Sequence, residues 1–225
     1  TAATVMDPRK GYIVRAPQSF SGSPLVKTPY TANFVGTPNN GDMLCTIYHG
    51  TLGPGNNNDK YNLLGNPYPS AVDAEAFLSD PANVPVIDGT IYFWTHNSPP
   101  SVAYPDPFYG DFVINYTATD YASWNKLGGT GTTQAAASGG ETPSGFIAAG
   151  QGFFAKSTGT APSGDNVTFR NTMRVSGNNN QFFRTMETEK HRVWLNLVNS
   201  AGTLNQILVG YTQGATMGWD RDFDG

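Results

Sequence analysis

Arg192-Val193-Trp194-Leu195-Asn196-Leu197-Val198-Asn199 and Gln206-Ile207-Leu208-Val209-Gly210-Tyr211-Thr212, separated by Ser200-Ala201-Gly202-Thr203, decide the fold class. Side chains alternate sides along an extended strand. Val193, Leu195 and Leu197 therefore share one side, and Trp194, Asn196 and Val198 the other. Two runs rich in β-branched and aromatic residues across a short polar gap predict an antiparallel hairpin. A Trp on one side and a Leu row on the other predict that both sides are at least partly covered, as in two stacked sheets.

Outward from the hairpin, the same pattern recurs between Gly, Pro and Asn clusters. It reads as strand at Gly11–Arg15, Thr31–Gly36, Met43–Tyr48, Thr90–Thr95, Phe112–Tyr116, Gly145–Lys156, Val167–Arg170 and Met173–Val175. Pro38-Asn39-Asn40-Gly41, Gly53 to Asp59 and Gly177-Asn178-Asn179-Asn180 are turn signals. One helix is expected near residues 71–79, with Ser70 as its cap, Asp73 three residues on, and Pro81 as its stop; Val72, Ala76 and Phe77 would face inward. Leu127 to Ser144 is small and polar and reads as a surface loop. The expectation is an all-β chain, a β-sandwich or jelly-roll-like fold with one short helix and long Gly/Asn/Pro-rich loops. It spans residues 1–225 as one β-rich domain, the loop 127–144 being the place for any subdivision.

Composition narrows the function classes. The chain has 225 residues, of which only 13% are charged, about half the usual quarter, which disfavours charged helices, coiled coils and charge-rich tails. A net charge of −4 argues against wrapping nucleic acid by phosphate neutralisation. No apolar run approaches the roughly 20 residues that a spanning helix needs. A single cysteine, Cys45, excludes an intrachain disulfide and a multi-cysteine zinc site; in its strand it reads as a small buried hydrophobe. The chain opens at Thr1 without a signal peptide and stops within an acidic motif, so it reads as a mature or excised piece of a longer protein.

Three features carry candidate chemistry. Asp220, Asp222 and Asp224, followed by Gly225, alternate like the opening half of an oxygen-ligand calcium loop. Ca2+ is accordingly the one candidate cofactor, with a solvated acidic terminus as the rival reading. Aromatic residues concentrate between 92 and 124, among Pro, Asp and Asn. Trp94, Tyr104, Tyr109, Tyr121 and Trp124, with His96 beside them, are candidates for stacking on sugar rings, the rival being that they fill the core. His49 and His191 read as ordinary surface residues, with no metal-ligand spacing between histidines. No nucleophile elbow, aromatic-strand glutamate pair or phosphate-cradling glycine loop is visible, so no catalytic residue is assigned and the balance leans away from an enzyme.

Several stretches together resemble a segment of secreted, adhesin-like cell-surface proteins of Flavobacterium-type Bacteroidetes exported by the type IX secretion system. The resemblance is carried by Lys10–Pro17, Leu63–Ala74, Gly89–His96, Ala148–Phe154, Arg192–Leu197 and Gln206–Tyr211, continued by Gly214-Ala215-Thr216 and the terminal acids. It implies a secreted or outer-surface location, and brings no catalytic residues. The function expected is an extracellular, cell-surface-associated, non-enzymatic interaction module whose partner is a glycan or another cell-surface protein. The alternatives are a polysaccharide-degrading enzyme or its accessory domain, and a self-assembling surface subunit pairing through strand edges.

Overall fold

The computed structural model describes residues 5–13, 33, 35–50, 59–95, 120–131, 142–159, 165–179, 191–198, 204–211, 215–216 and 218–224. Their strands are β1 (Met43–Thr46), β2 (Tyr61–Gly65), β3 (Ala71–Asp73), β4 (Ile87–Trp94), β5 (Tyr121–Asn125), β6 (Gly128–Thr130), β7 (Phe146–Ile147), β8 (Gly152–Ser157), β9 (Asn166–Phe169), β10 (Arg174–Val175), β11 (His191–Val198) and β12 (Leu204–Tyr211), with one helix, α1 (Ala74–Ser79). The fold is all-β and sandwich-like. Every pairing is antiparallel: a five-stranded sheet ordered β2-β8-β4-β5-β6, a three-stranded sheet β10-β3-β7, and the pairs β1-β9 and β11-β12.

Alternation explains the core. Leu64, Ile91, Phe93, Trp124, Phe153 and Ala155 of the large sheet are buried and join one cluster with Phe77 of α1, Val72, Ile147, Cys45, Val167 and Phe169. Phe77 stacks on Phe169 at 4.8 Å between centroids and meets Phe153 edge-on at 5.6 Å, so the short helix wedges between β9 and the large sheet. Truncating such a ring costs about 3–5 kcal/mol. Cys45 is buried and free, as its strand setting predicts.

Several expectations are corrected. The helix starts at Ala74, because residues 71–73 pair with β10 and β7. Its cap is Asp73, which is extended and accepts the Ala76 N–H at 3.0 Å, whereas the Ser70 hydroxyl accepts from Arg174 Nε at 3.1 Å. The helix buries Ala74, Phe77 and Leu78; Val72 is buried too, but from β3. Gly145–Lys156 is two strands, broken by a turn in which Gly150 has φ 71° and the Gln151 side chain accepts the Ala148 N–H at 2.8 Å. The segment read as a surface loop from Leu127 begins with β6: Asn125 Oδ1 accepts the Leu127 and Gly128 N–H groups at 3.0 and 3.3 Å and turns the chain back along β5. Met173 closes a 3-10 turn (Asn171–Met173) instead of opening a strand. Near the N-terminus, Gly11 to Ile13 lie outside any strand, Lys10 making a single bridge to Leu64. Asn33, Val35 and Gly36 are likewise not in a strand, and Phe112–Tyr116 lies outside the described residues.

The terminal hairpin forms in the expected pairing, Trp194 opposite Leu208, but its two sides differ. Trp194 Nε1 donates to the Gly129 carbonyl at 3.2 Å, and Gln206 Oε1 accepts the Gly131 N–H at 3.0 Å, docking one side on β6. On the other side Val193, Leu195, Ile207 and Val209 are exposed, so the expectation of cover on both sides is overturned there.

Candidate functional site

The residues whose side chains alternate outward from the five-stranded sheet are unusually aromatic. β4 turns Ile91 and Phe93 into the core and so directs Tyr92 and Trp94 outward; β8 buries Phe153 and Ala155 and so directs Phe154 and Lys156 outward. Register then fixes neighbours. Tyr92 lies opposite Phe154, Trp94 opposite Tyr121 of β5, and Tyr61 of β2 opposite Lys156. Two edge-to-face ring pairs result: Tyr61 with Tyr92, and Tyr121 with Phe154, each at 5.6 Å between centroids. Tyr61 and Tyr121 are 43% and 39% exposed, and Tyr92, Trp94 and Phe154 half-buried, so ring surface remains open to a ligand. Toward the β6 edge, Ser123 Oγ and Thr130 Oγ1 share a 2.6 Å hydrogen bond.

The polar end of this face lies where β4 bulges between Ile87 and Ile91. Asp88 Oδ1 accepts the Thr90 N–H at 3.2 Å. Burial pushes the Asp88 carboxyl up, against the Thr90 hydrogen bond and the charges of Lys156 and Arg221. Burial also raises the Tyr92 and Tyr61 phenols, with the Asp88 charge next in effect for both. Both phenols therefore stay protonated at neutral pH and can donate as well as accept hydrogen bonds.

The sequence candidates divide. Trp94 and Tyr121 are on the face, directly opposite each other. Trp124 is not: three positions from Tyr121 on the same strand, it points the other way and is 6% exposed in the core, packed near Gly145. His96, Tyr104 and Tyr109 lie outside the described residues. Tyr61 and Phe154 were missed by the sequence reading. The adjacent pair Phe153-Phe154 carries the available signal, since consecutive strand residues cannot both enter one core.

The terminal acids are committed within the protein. Asp220 accepts from the Thr216 N–H and hydroxyl, Asp224 accepts the Asp220 N–H at 2.7 Å, and Asp222 receives Lys126 Nζ at 2.7 Å and Arg221 at 2.6 Å. Among the described residues no three His, Cys, Asp or Glu side chains gather as a metal site. The turn docks on the β4 bulge: the Arg221 guanidinium donates to the Ile87 carbonyl at 2.6 and 3.1 Å, and a Cβ on Gly89 would overlap the Arg221 carbonyl. His49, expected at the surface, is buried, with Nε2 2.6 Å from Asp165 and Nδ1 enclosed without a hydrogen-bond partner among the described residues.

The polar residues of the Leu63–Ala74 stretch are structural. Asn66 Nδ2 lies 2.9–3.0 Å from the carbonyls of Ser70, Ile147 and Ala148, and the Tyr68 hydroxyl is within reach of the Gly41 and Phe169 carbonyls. That stretch holds loops together.

A family model described as "Domain of unknown function (DUF8693)" matches residues 1–225. The chain belongs to this family. No match was found among curated proteins or among solved structures. No helix among the described residues is long and apolar enough to cross a membrane.

Proposed function

We propose that this DUF8693 domain is an extracellular, cell-surface-associated interaction module, non-enzymatic, that holds glycan on the outer face of its five-stranded sheet. The observation that supports the reading is the alignment of Tyr61, Tyr92, Trp94, Tyr121 and Phe154 on that one face. The apolar faces of sugar rings stack on aromatic rings, while hydroxyls take the hydrogen bonds offered by phenols and flanking polar groups. A sheet holds these rings in place at little entropic cost, since backbone pairing and the core behind it fix their positions. The low charge and the resemblance to type IX-exported surface proteins favour the secreted setting.

The test is a glycan array read together with a reducing-sugar release assay. Binding is expected without release, and Tyr61→Ala with Tyr121→Ala, which removes the two most exposed rings of the face, should abolish it while circular dichroism shows the variant still folded. Release of sugar would move the domain to the polysaccharide-degrading alternative, and binding that survives the double substitution would remove the face from the account.

A further inference from the structure

Which glycan the face takes can be read from its polar end, an inference that rests on the glycan reading above. Two ionic side chains with unspent hydrogen-bonding capacity stand there. Lys156, opposite Tyr61, forms no ion pair among the described residues. Asp88 uses Oδ1 for the Thr90 N–H, and its other oxygen receives no donor among the described residues. The register brings them to the ring pair: Lys156 is the cross-strand partner of Tyr61, and the β4 bulge that carries Asp88 lies between the pairings of Ser157 and Ala155, on either side of Lys156; the Asp88 charge is felt by both phenols and the Lys156 charge by Asp88. The nearby Arg221 is not available, because its guanidinium is spent on the Ile87 carbonyl and on Asp222.

One negative and one positive group side by side discriminate against charge of either sign. A uronate or sulfated sugar is drawn to Lys156 and repelled by Asp88. An amino sugar meets the reverse, and either would give up hydration without a net Coulomb return. A neutral sugar meets neither conflict. Its hydroxyls donate to Asp88 and accept from Lys156 and the phenols, while its ring stacks on the aromatic pair.

We infer that the ligand is a neutral, hydroxyl-rich glycan, bound by the Tyr61–Tyr92 ring pair with Asp88 and Lys156 reading hydroxyls at its edge.

The experiment titrates the whole domain calorimetrically with a neutral β-glucan and a neutral mannan, with polygalacturonate, and with chitosan, each at low and high salt. Expected are binding of a neutral polymer that salt leaves unchanged, and a loss of about tenfold in affinity for each of Asp88→Asn and Lys156→Gln. Both side chains are partly exposed, and circular dichroism melts confirm that each variant is folded. Binding of polygalacturonate or chitosan alone, or loss of the neutral ligand on adding salt, overturns the neutral assignment and leaves the glycan reading standing. Unchanged affinity in both edge variants overturns the roles of Asp88 and Lys156. No binding of any polymer, with the glycan array also silent, overturns both the assignment and the reading beneath it.

Discussion

Asn83 and Thr168 pair as though the side chain of one were a strand of its own: Asn83 Nδ2 donates to the Thr168 carbonyl at 3.0 Å, and the Thr168 N–H returns to Asn83 Oδ1 at 2.7 Å. The same Nδ2 lies 2.9 Å from the Phe77 carbonyl, so one buried amide closes the last turn of α1 onto β9. Asn83→Ala strands a donor and two acceptors in the core. At about 1–3 kcal/mol for a buried group left unsatisfied, the loss should be near 3 kcal/mol by urea denaturation. A loss under about 1 kcal/mol would mean that water replaces the amide.

The helix cap offers a cleaner comparison. Asp73→Ala removes the acceptor of the Ala76 N–H and a carboxylate at the positive end of α1, and should cost about 1 kcal/mol. Ser70→Ala removes only the half-buried contact with Arg174 and should cost less. Reversed magnitudes would return the cap to Ser70.

These two cases also show how far the sequence could be read. Strand signals and the helix stop at Pro81 depend on neighbours along the chain, and they located β1, β4, β9 and the hairpin. Whether residues 71–73 are helix or strand depends on β7 and β10, which are remote in sequence, and no local signal carries that choice. The aromatic face divided in the same way. Trp94 and Tyr121 were legible as members of the aromatic concentration between 92 and 124, but the outward assignment of Phe154 and the burial of Trp124 follow from which parity of each strand meets the core. The amide of Asn125, which starts β6 inside an apparently featureless Gly and Thr run, gives no periodic signal at all.

The hairpin's two sides predict opposite mutational outcomes. Val193 and Ile207 are 56% and 58% exposed, so Val193→Thr and Ile207→Thr should each shift stability by less than about 0.5 kcal/mol. Trp194→Ala removes a half-buried ring and its bond to Gly129, and should cost about 2 kcal/mol. Thermal melts of the three variants check this, and a large loss in Val193→Thr would show that the exposed side is covered in solution.

The acidic terminal turn is tied to the sheet by Lys126 and Arg221, so Asp222→Ala should lower the melting temperature in EDTA as much as in its absence. Gly89→Ala should do the same by forcing the Arg221 carbonyl away. A calcium-dependent rise in melting temperature that vanishes in Asp222→Ala would instead support the cation-loop reading of Asp220, Asp222 and Asp224.

The carboxylates pull the pH profile in two directions. Burial holds Asp88 above the ordinary carboxylate value, so the folded state binds its proton more tightly than the unfolded chain. Stability therefore falls as pH rises from that ordinary value, about 3.9, through the raised folded one. Asp80 and Asp222 behave oppositely. Burial alone would raise them, but Arg170 and the Ala82 N–H outweigh it at Asp80, as Lys126 and Arg221 do at Asp222, and both end below the usual range. Their contribution is complete above the ordinary value and is lost as pH falls through their lowered ones. Asp88→Asn should therefore raise the melting temperature at pH 7, with the gain shrinking toward pH 4. Asp80→Asn should lower it at pH 7, with the deficit closing only in stronger acid. Melts of the parent and both variants from pH 2.5 to pH 8 read these slopes directly, and parallel curves for Asp88→Asn and the parent would show that Asp88 is solvated, not buried, in the folded domain.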